Sequence, residues 1–161
     1  MIPSTKKWAP TALIIKTNKK GLPPRMSPHQ EHPKFETKGK SPILRVVPGP
    51  QDINSNGHIF GGWVLSQMDI AAGIVAGREA QGACATVGIE AMEFIAPILL
   101  RDIISVYAEV ERRGRTSVGI RINVIASRDR GETEVEVTSG LFTFVALDDN
   151  HRPRPLPPVQ G

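Results

Sequence analysis

In the stretch "NGHIFGGWVLSQMDIAAGIVAG", residues 56 to 77, one acid, Asp69, stands among apolar and small residues, and two glycines, Gly61 and Gly62, open the apolar run. The spacing of that run predicts a helix over about residues 61–79. A carboxylate on such a helix has two chemical uses, as a general base or as a nucleophile. Glycines in a first helical turn leave unpaired N–H groups and the positive end of the dipole open to a carbonyl oxygen, which is the arrangement of an oxyanion hole. Asp69 is two turns further on, about 10 Å by helix rise. The acid acting on a carbonyl held at the helix start therefore belongs either to the same helix or to that of a second copy. The other reading of Asp69 is a polar residue satisfied by a neighbouring strand or by a dimer contact.

Advancing about 100° per residue from Gly62 gathers Gly73, Ser66, Gly77, Asp69, Ala76 and Leu65 on one side of the helix. Val64, Val75, Met68 and Ala71 fall opposite, with Ile74 and Trp63 on a flank. A glycine inside a helix costs about 1 kcal/mol against alanine, so Gly73 and Gly77 call for close approach by another backbone or a ligand on the nearly bare side.

The elements that must position this helix are β-rich. "PILRVVPG" (42–49) predicts a short strand and "PQDINSNGHIF" (50–60) a loop of turn formers. Four long stretches follow the helix: "CATVGIEAMEFIAPI", "RDIISVYAEVERR", "TSVGIRINVIASRD" and "TEVEVTSGLFTFVALD". Their separators are short, which favours antiparallel neighbours. The order β-α-β-β-β-β predicts an α+β domain, one helix against a five-stranded, mostly antiparallel sheet. Simple alternation places Glu90 and Glu93 on opposite faces of their strand.

The chain has 161 residues, which suggests a single folded domain. Its basic balance is uneven. Residues 1–40 carry nine Lys or Arg against two Glu, whereas residues 41–161 carry eleven Arg, no Lys and fourteen acids. A nucleic-acid partner would thus rest on the leader alone, and none is expected for the domain. The leader (1–40), rich in Lys, Pro and Ser without a period, is expected to be disordered. The change from Lys to Arg near residue 41 suggests added or mis-started sequence, with Met26 as an alternative start. His29 and His32 read as inert solvent-facing residues. "TALII" is too short for a signal-peptide core and no apolar run reaches a membrane span. Cys84 is the only cysteine. It excludes an internal disulfide, suits a cytoplasmic setting and reads as a small hydrophobe in a strand. The domain is expected over 41–149, followed by an extended Pro- and Arg-rich tail over 150–161.

"DINSNGHIFGGWVLSQMD", "GIEAMEFIAPILLRDIISVYAEV", "RRGRTSV" and "FTFVALDDNHRPRPLPP" occur in one order over about residues 43–158 and resemble the bacterial YciA-like acyl-CoA thioesterases of the hotdog fold. The resemblance implies a curved antiparallel sheet wrapped round the central helix. It also implies dimers paired through their sheets and assembled as trimers of dimers, with active sites at the dimer interface and no cofactor. By the resemblance Asp69 is the catalytic acid, Asn54 orients water or holds the carbonyl, and the amides of Gly61 and Gly62 polarise the thioester. Arg113, Arg115, Thr116 and Ser117 form a polar turn suited to the phosphates of coenzyme A, with Arg152 and Arg154 adding charge. Phe94 and Pro97 match positions flanking the pantetheine or adenine channel, and Glu90 a position often acidic. His58 stands where Asp or Asn is more usual, which leaves its role open. Trp63, Leu65, Met68 and Met92 are candidates for the acyl pocket, and short- to medium-chain substrates are expected. No metal site is expected. Two rival readings share this architecture: a hotdog enoyl-CoA hydratase, and a non-catalytic acyl-CoA-binding protein.

Overall fold

Proline punctuates the first strand. Pro42 and Pro48 have no N–H to give a ladder, and only Leu44–Val46 (β1) pairs within the stretch expected over 42–49. The computed structural model describes residues 35–159. Met26, His29, His32, "TALII" and the rest of the leader up to residue 34 lie outside the described residues, as do residues 160 and 161. After β1 come α1 (Gly61–Ala80), β2 (Cys84–Phe94), β3 (Ile103–Arg113), β4 (Ser117–Arg128) and β5 (Thr133–Ala146). The sheet order is β1-β3-β4-β5-β2, and all four pairings are antiparallel. The short separators thus produce consecutive hairpins for β3, β4 and β5, while β2 crosses over to the far edge. This is the α+β arrangement the pattern predicts.

The core lies between α1 and the sheet. On β4, Val118, Ile120, Ile122 and Val124 alternate inward and are buried. They meet Met68, Ala71, Ala72 and Ala76 of α1, each fully buried, together with Ile104, Val106 and Phe142. The buried stripe differs from the sequence expectation. Ala76, placed on the bare side, is in the core, whereas Val75 is only half-buried. The stripe Val64, Met68, Ala72, Ala76, Ala80 follows a strict four-residue step, so the small alanines are what let the helix lie close to the sheet. A Cβ on Gly73 would meet only the Phe144 ring at 3.7 Å, and one on Gly77 the Gly82 carbonyl at 3.8 Å. Both are ordinary contacts. Among the described residues nothing presses on that side of the helix tightly enough to demand glycine.

Both ends of α1 are anchored. At its start, the Ile59 N–H donates to the Ile98 carbonyl (3.0 Å) and the Phe60 N–H to the Asp52 carbonyl (2.9 Å). At its end, Gln81 adopts the left-handed conformation (φ 49°) and the Gly82 N–H reaches back to the Gly77 carbonyl at 3.2 Å.

Two further expectations change. The ladder between β2 and β5 slips between Glu90 and Glu93, where Ala91 has a φ of 49°, so these acids pair with Leu141 and Ser139, two residues apart on β5. The extra residue therefore places both acids on one face rather than on opposite faces. Residues 35–40, expected within the leader, instead cross the sheet face opposite α1. The Phe35 ring lies 5.2 Å from that of Tyr107, Thr37 donates to Glu134 (3.1 Å), and the Lys40 Nζ sits 2.8 Å from Glu109.

One buried ion pair braces the segment between β2 and β3. Asp102 is 2% exposed; it accepts from Arg128 Nε and Nη2, both at 3.1 Å, and from the Leu99 N–H at 2.9 Å. Arg128 also donates to the Pro97 carbonyl at 2.6 Å. Replacing Asp102 by Ala leaves a guanidinium without its counter-charge. We expect a loss of about 3 kcal/mol, read as a lower midpoint in chemical denaturation with unchanged slope.

Candidate active site

Asp69 points away from the core and is exposed on the single chain. Its Oδ1 accepts a hydrogen bond from Thr86 Oγ1 on β2 at 2.6 Å. Thr86 has the same parity as Cys84, so both face the helix. Thr86 is a contact of this acid that the sequence pattern did not single out. The signal was available: counting two residues from Cys84 along an alternating strand lands a hydroxyl beside the helix. Oδ2 of Asp69 has no partner among the described residues. Cys84 is close enough to feel Asp69. Burial pushes its thiol up, Arg154 partly offsets this, and Asp69 adds to the rise. Such a thiol is a poor nucleophile, in line with its reading as a strand hydrophobe.

Asn54 is held by its own turn. Its Oδ1 accepts from the N–H groups of Asn56 (2.9 Å) and His58 (3.2 Å). The amide nitrogen donates to nothing among the described residues and remains available. Seven residues on, α1 begins without help. Its N-cap, Phe60, makes no side-chain cap, the first turn holds no acid, and the N–H groups of Gly61 and Gly62 have no acceptor among the described residues. A Cβ on Gly61 would stand 3.3 Å from the Phe94 ring, so glycine lets that ring lie over the helix start.

Asn54, His58 and Gly61 share the polar rim of a cavity of about 300 Å³. The remaining wall is nearly all apolar, with Ile59, Val64, Ile95, Ile98 and Val137 among its residues; Phe94, Ala96, Pro97 and Thr138 complete it. The structure thus brings together five of the sequence-derived candidates: Asn54, His58, Gly61, Phe94 and Pro97. Gly62 is the next amide along the helix. Asp69 is not part of this wall and lies two turns away on the same helix. Met68 is fully buried in the core and Met92 packs beside it under Gly140, so neither lines the cavity. Trp63 and Leu65 also pack against the core rather than lining it.

The polar turn and tail gather at the other end of α1. Arg154 spends its donors on backbone carbonyls. Nε bonds Leu147 (2.9 Å), Nη2 bonds Ala80 (2.8 Å) and Nη1 bonds Pro155 (3.3 Å), so it caps the helix C-terminus. Arg113 bonds Glu79 and the Pro157 carbonyl. These two arginines, expected as coenzyme contacts, are used inside the chain. Arg115 and Arg152 are exposed, and their guanidinium groups have no partner among the described residues. Ser117 begins β4 and Thr116 precedes it: the Thr116 carbonyl accepts from Ala146 (2.9 Å) and the Ser117 carbonyl from Gly114 (2.8 Å). Glu90 pairs with Arg112 on the sheet surface, Nη2 to Oε1 at 2.6 Å. Among the described residues no group of His, Cys, Asp or Glu could hold a metal ion, and no helix is long and apolar enough to cross a membrane.

Residues 56–133 match the family model of the thioesterase superfamily. The acyl-CoA thioester hydrolase YciA of Salmonella typhimurium is 44% identical over 123 residues, which are 74% of this chain and 91% of that protein. A hexameric broad specificity acyl-coenzyme A thioesterase, in an aspartate-to-alanine variant, superposes with a TM-score of 0.70 at 38% identity, over 74% of this chain and 88% of that one. A hexameric hotdog fold thioesterase of Campylobacter jejuni superposes with a TM-score of 0.69 at 35% identity, over 73% and 90%.

The role of Arg154 can be checked directly. Replacing it by Ala removes a helix cap worth about 1 kcal/mol. The melting temperature should fall by several degrees, while the KM for an acyl-CoA should stay within about twofold of the parent's.

Proposed function

The chain belongs to the thioesterase superfamily, among its YciA-like acyl-CoA thioester hydrolases, and on that premise we propose how two copies build its active site. It hydrolyses acyl-CoA thioesters on a hotdog fold. The observation that carries the site is a distance. The amides of Gly61 and Gly62 and the carboxylate of Asp69 ride on one rigid helix, about 10–12 Å apart by helix rise. An oxyanion donor must come within about 3 Å of the oxygen it stabilises, and a base must be within hydrogen-bond reach of its proton, or one water away. One helix therefore cannot offer both ends to one carbonyl. Two helices running past each other in opposite directions can, each placing its Asp69 beside the other's first turn.

The surfaces left open by the single chain fit such pairing. β2 is an eleven-residue edge strand with one neighbour, and Val87 and Ile89 on it are 60% and 43% exposed. A long apolar edge of this kind is normally covered. A second copy laid along β2 would continue the sheet and face the two exposed Asp69 sides towards each other. The hexameric relatives support assembly of such dimers in threes.

In this arrangement the thioester carbonyl oxygen accepts from the amides of Gly61 and Gly62, and the Asn54 amide holds the carbonyl or the water. The partner copy's carboxylate at position 69 takes a proton from water through Oδ2 while Thr86 fixes Oδ1. The hydroxide adds to the carbonyl carbon, the C–S bond breaks, and the coenzyme A thiolate leaves and is protonated from solvent. No cofactor is required by these steps. The apolar cavity takes the acyl chain, and its size favours short to medium lengths. Arg115 and Arg152, with Thr116 and Ser117, are the groups left to meet the coenzyme phosphates. The single cysteine is in keeping with a cytoplasmic setting.

A thiol-release assay over acyl-CoAs from acetyl to palmitoyl tests the reading. Asp69→Ala should be slower by about a hundredfold or more, and Thr86→Val by roughly tenfold, the loss of one bond to a charged group. Binding without release, or hydration of an enoyl thioester without free thiol, would count for the two rival readings. Co-expressing Asp69→Ala with Asn54→Ala should restore about a quarter of the parent's activity, because a two-fold mixed dimer keeps one complete site. If each chain held its own site, the mixture would stay inactive.

A further inference from the structure

We propose that His58 is a substrate contact of this site, its imidazole donating a hydrogen bond to the thioester end of the acyl-CoA. The inference rests on the hydrolase reading and adds to it a residue whose role neither the sequence nor the reaction had explained. Three observations carry it. First, the backbone of His58 is pinned by the turn that holds Asn54. Its N–H donates to Asn54 Oδ1 at 3.2 Å, and its carbonyl accepts the Asn54 N–H at 2.7 Å. Two polar side chains are thereby presented from one rigid loop. Second, His58 is half-buried and lines the cavity beside Asn54 and Gly61, on the rim where the unpaired helix amides lie. Third, the ring makes no hydrogen bond among the described residues.

A half-buried polar ring is satisfied by a neighbour, by water or by a bound ligand. Here the rest of the wall is made largely of Ile59, Val64, Ile95, Ile98 and Val137, which offer none. Asn54 and Gly61 are themselves left with unused donors, so the ring has no acceptor on the rim either. When a ligand fills the cavity and displaces water, the acceptor for the ring comes from the ligand. In an acyl-CoA that acceptor at this depth is the thioester carbonyl, or the nearest amide carbonyl of the pantetheine arm. The neutral imidazole carries one N–H donor and the charged form two, so the contact survives a change of protonation. Its neighbour Ile59 is buried and tied to Ile98, which fixes the loop beside the cavity.

The test compares His58→Ala and His58→Asn with the parent in the thiol-release assay, with thermal melting of each. Loss of a donor that already holds the carbonyl of the bound substrate should raise KM by about tenfold, with kcat lowered less than about threefold. Asn retains an N–H donor and should recover to within about threefold of the parent. An Ala variant within about twofold of the parent in both constants would overturn the proposal. So would equal losses in Ala and Asn accompanied by a matching fall in melting temperature, which mark a loop residue with no substrate contact. A second arm separates this proposal from the hydrolase reading. Titration with an acyl-CoA analogue that has methylene in place of sulfur and keeps the carbonyl should show a Kd about tenfold weaker for His58→Ala. If the parent released no thiol, the hydrolase reading would fall, yet this difference in Kd would still support the contact and an equal Kd would overturn it.

Discussion

A helix is a rigid ruler, and the separation it imposes between Gly61 and Asp69 governs the rest of the structure. The positive end of α1 and its only carboxylate before the last turn are held two turns apart. Chemistry on one carbonyl needs both within a few ångströms, so the site has to be assembled from two helices. That requirement gives a reason for features that make little sense in an isolated chain. Asp69 faces solvent, Ile70 beside it is 51% exposed, and the longest edge strand carries bare apolar side chains. The glycine side of the helix is also left uncrowded by the chain's own atoms.

The supports of each half-site are separate and local. At the helix start, the Asn54 turn, the Asp52 and Ile98 carbonyls, and the Asp102–Arg128 pair hold the loops that shape the cavity. At the acid, a single hydroxyl from β2 sets the carboxylate's orientation. At the far end, Arg154 and Arg113 fasten the tail to the helix C-terminus. Some of these bonds join side chains, as between Thr86 and Asp69, and others end on backbone groups that would otherwise be orphaned, which is how a small α+β domain keeps loops in place without a larger core.

Several expectations changed for the same physical reason, that side-chain direction in a strand or helix depends on features a single sequence shows weakly. The slip at Ala91 moved Glu90 and Glu93 onto one face. A shift of part of a turn put Ala76 rather than Val75 against the sheet, because what packs is decided by how close two backbones can come. Arg113 and Arg154 are candidates for coenzyme contacts in sequence, and in the folded chain carbonyls and Glu79 lie within their reach. Phe35, Thr37 and Lys40 read as leader, yet the sheet face supplies Tyr107, Glu134 and Glu109 as partners.

The sequence by itself determined the elements and their kind. Periodicity set one helix and the strands, the short separators made them antiparallel, and the glycines, the lone acid and the motifs around them marked the family and its chemistry. These are local properties, written in composition and spacing within about twenty residues. Tertiary structure alone decided which groups meet. It brought Thr86 to Asp69 across 17 positions, Arg113 to Glu79 across 34 and Arg154 to Ala80 across 74. It also decided which donors stayed unpaired at Asn54, His58 and Gly61. Such pairings depend on sheet order, bulges and the approach of helix to sheet, and these are settled only when the whole core packs at once.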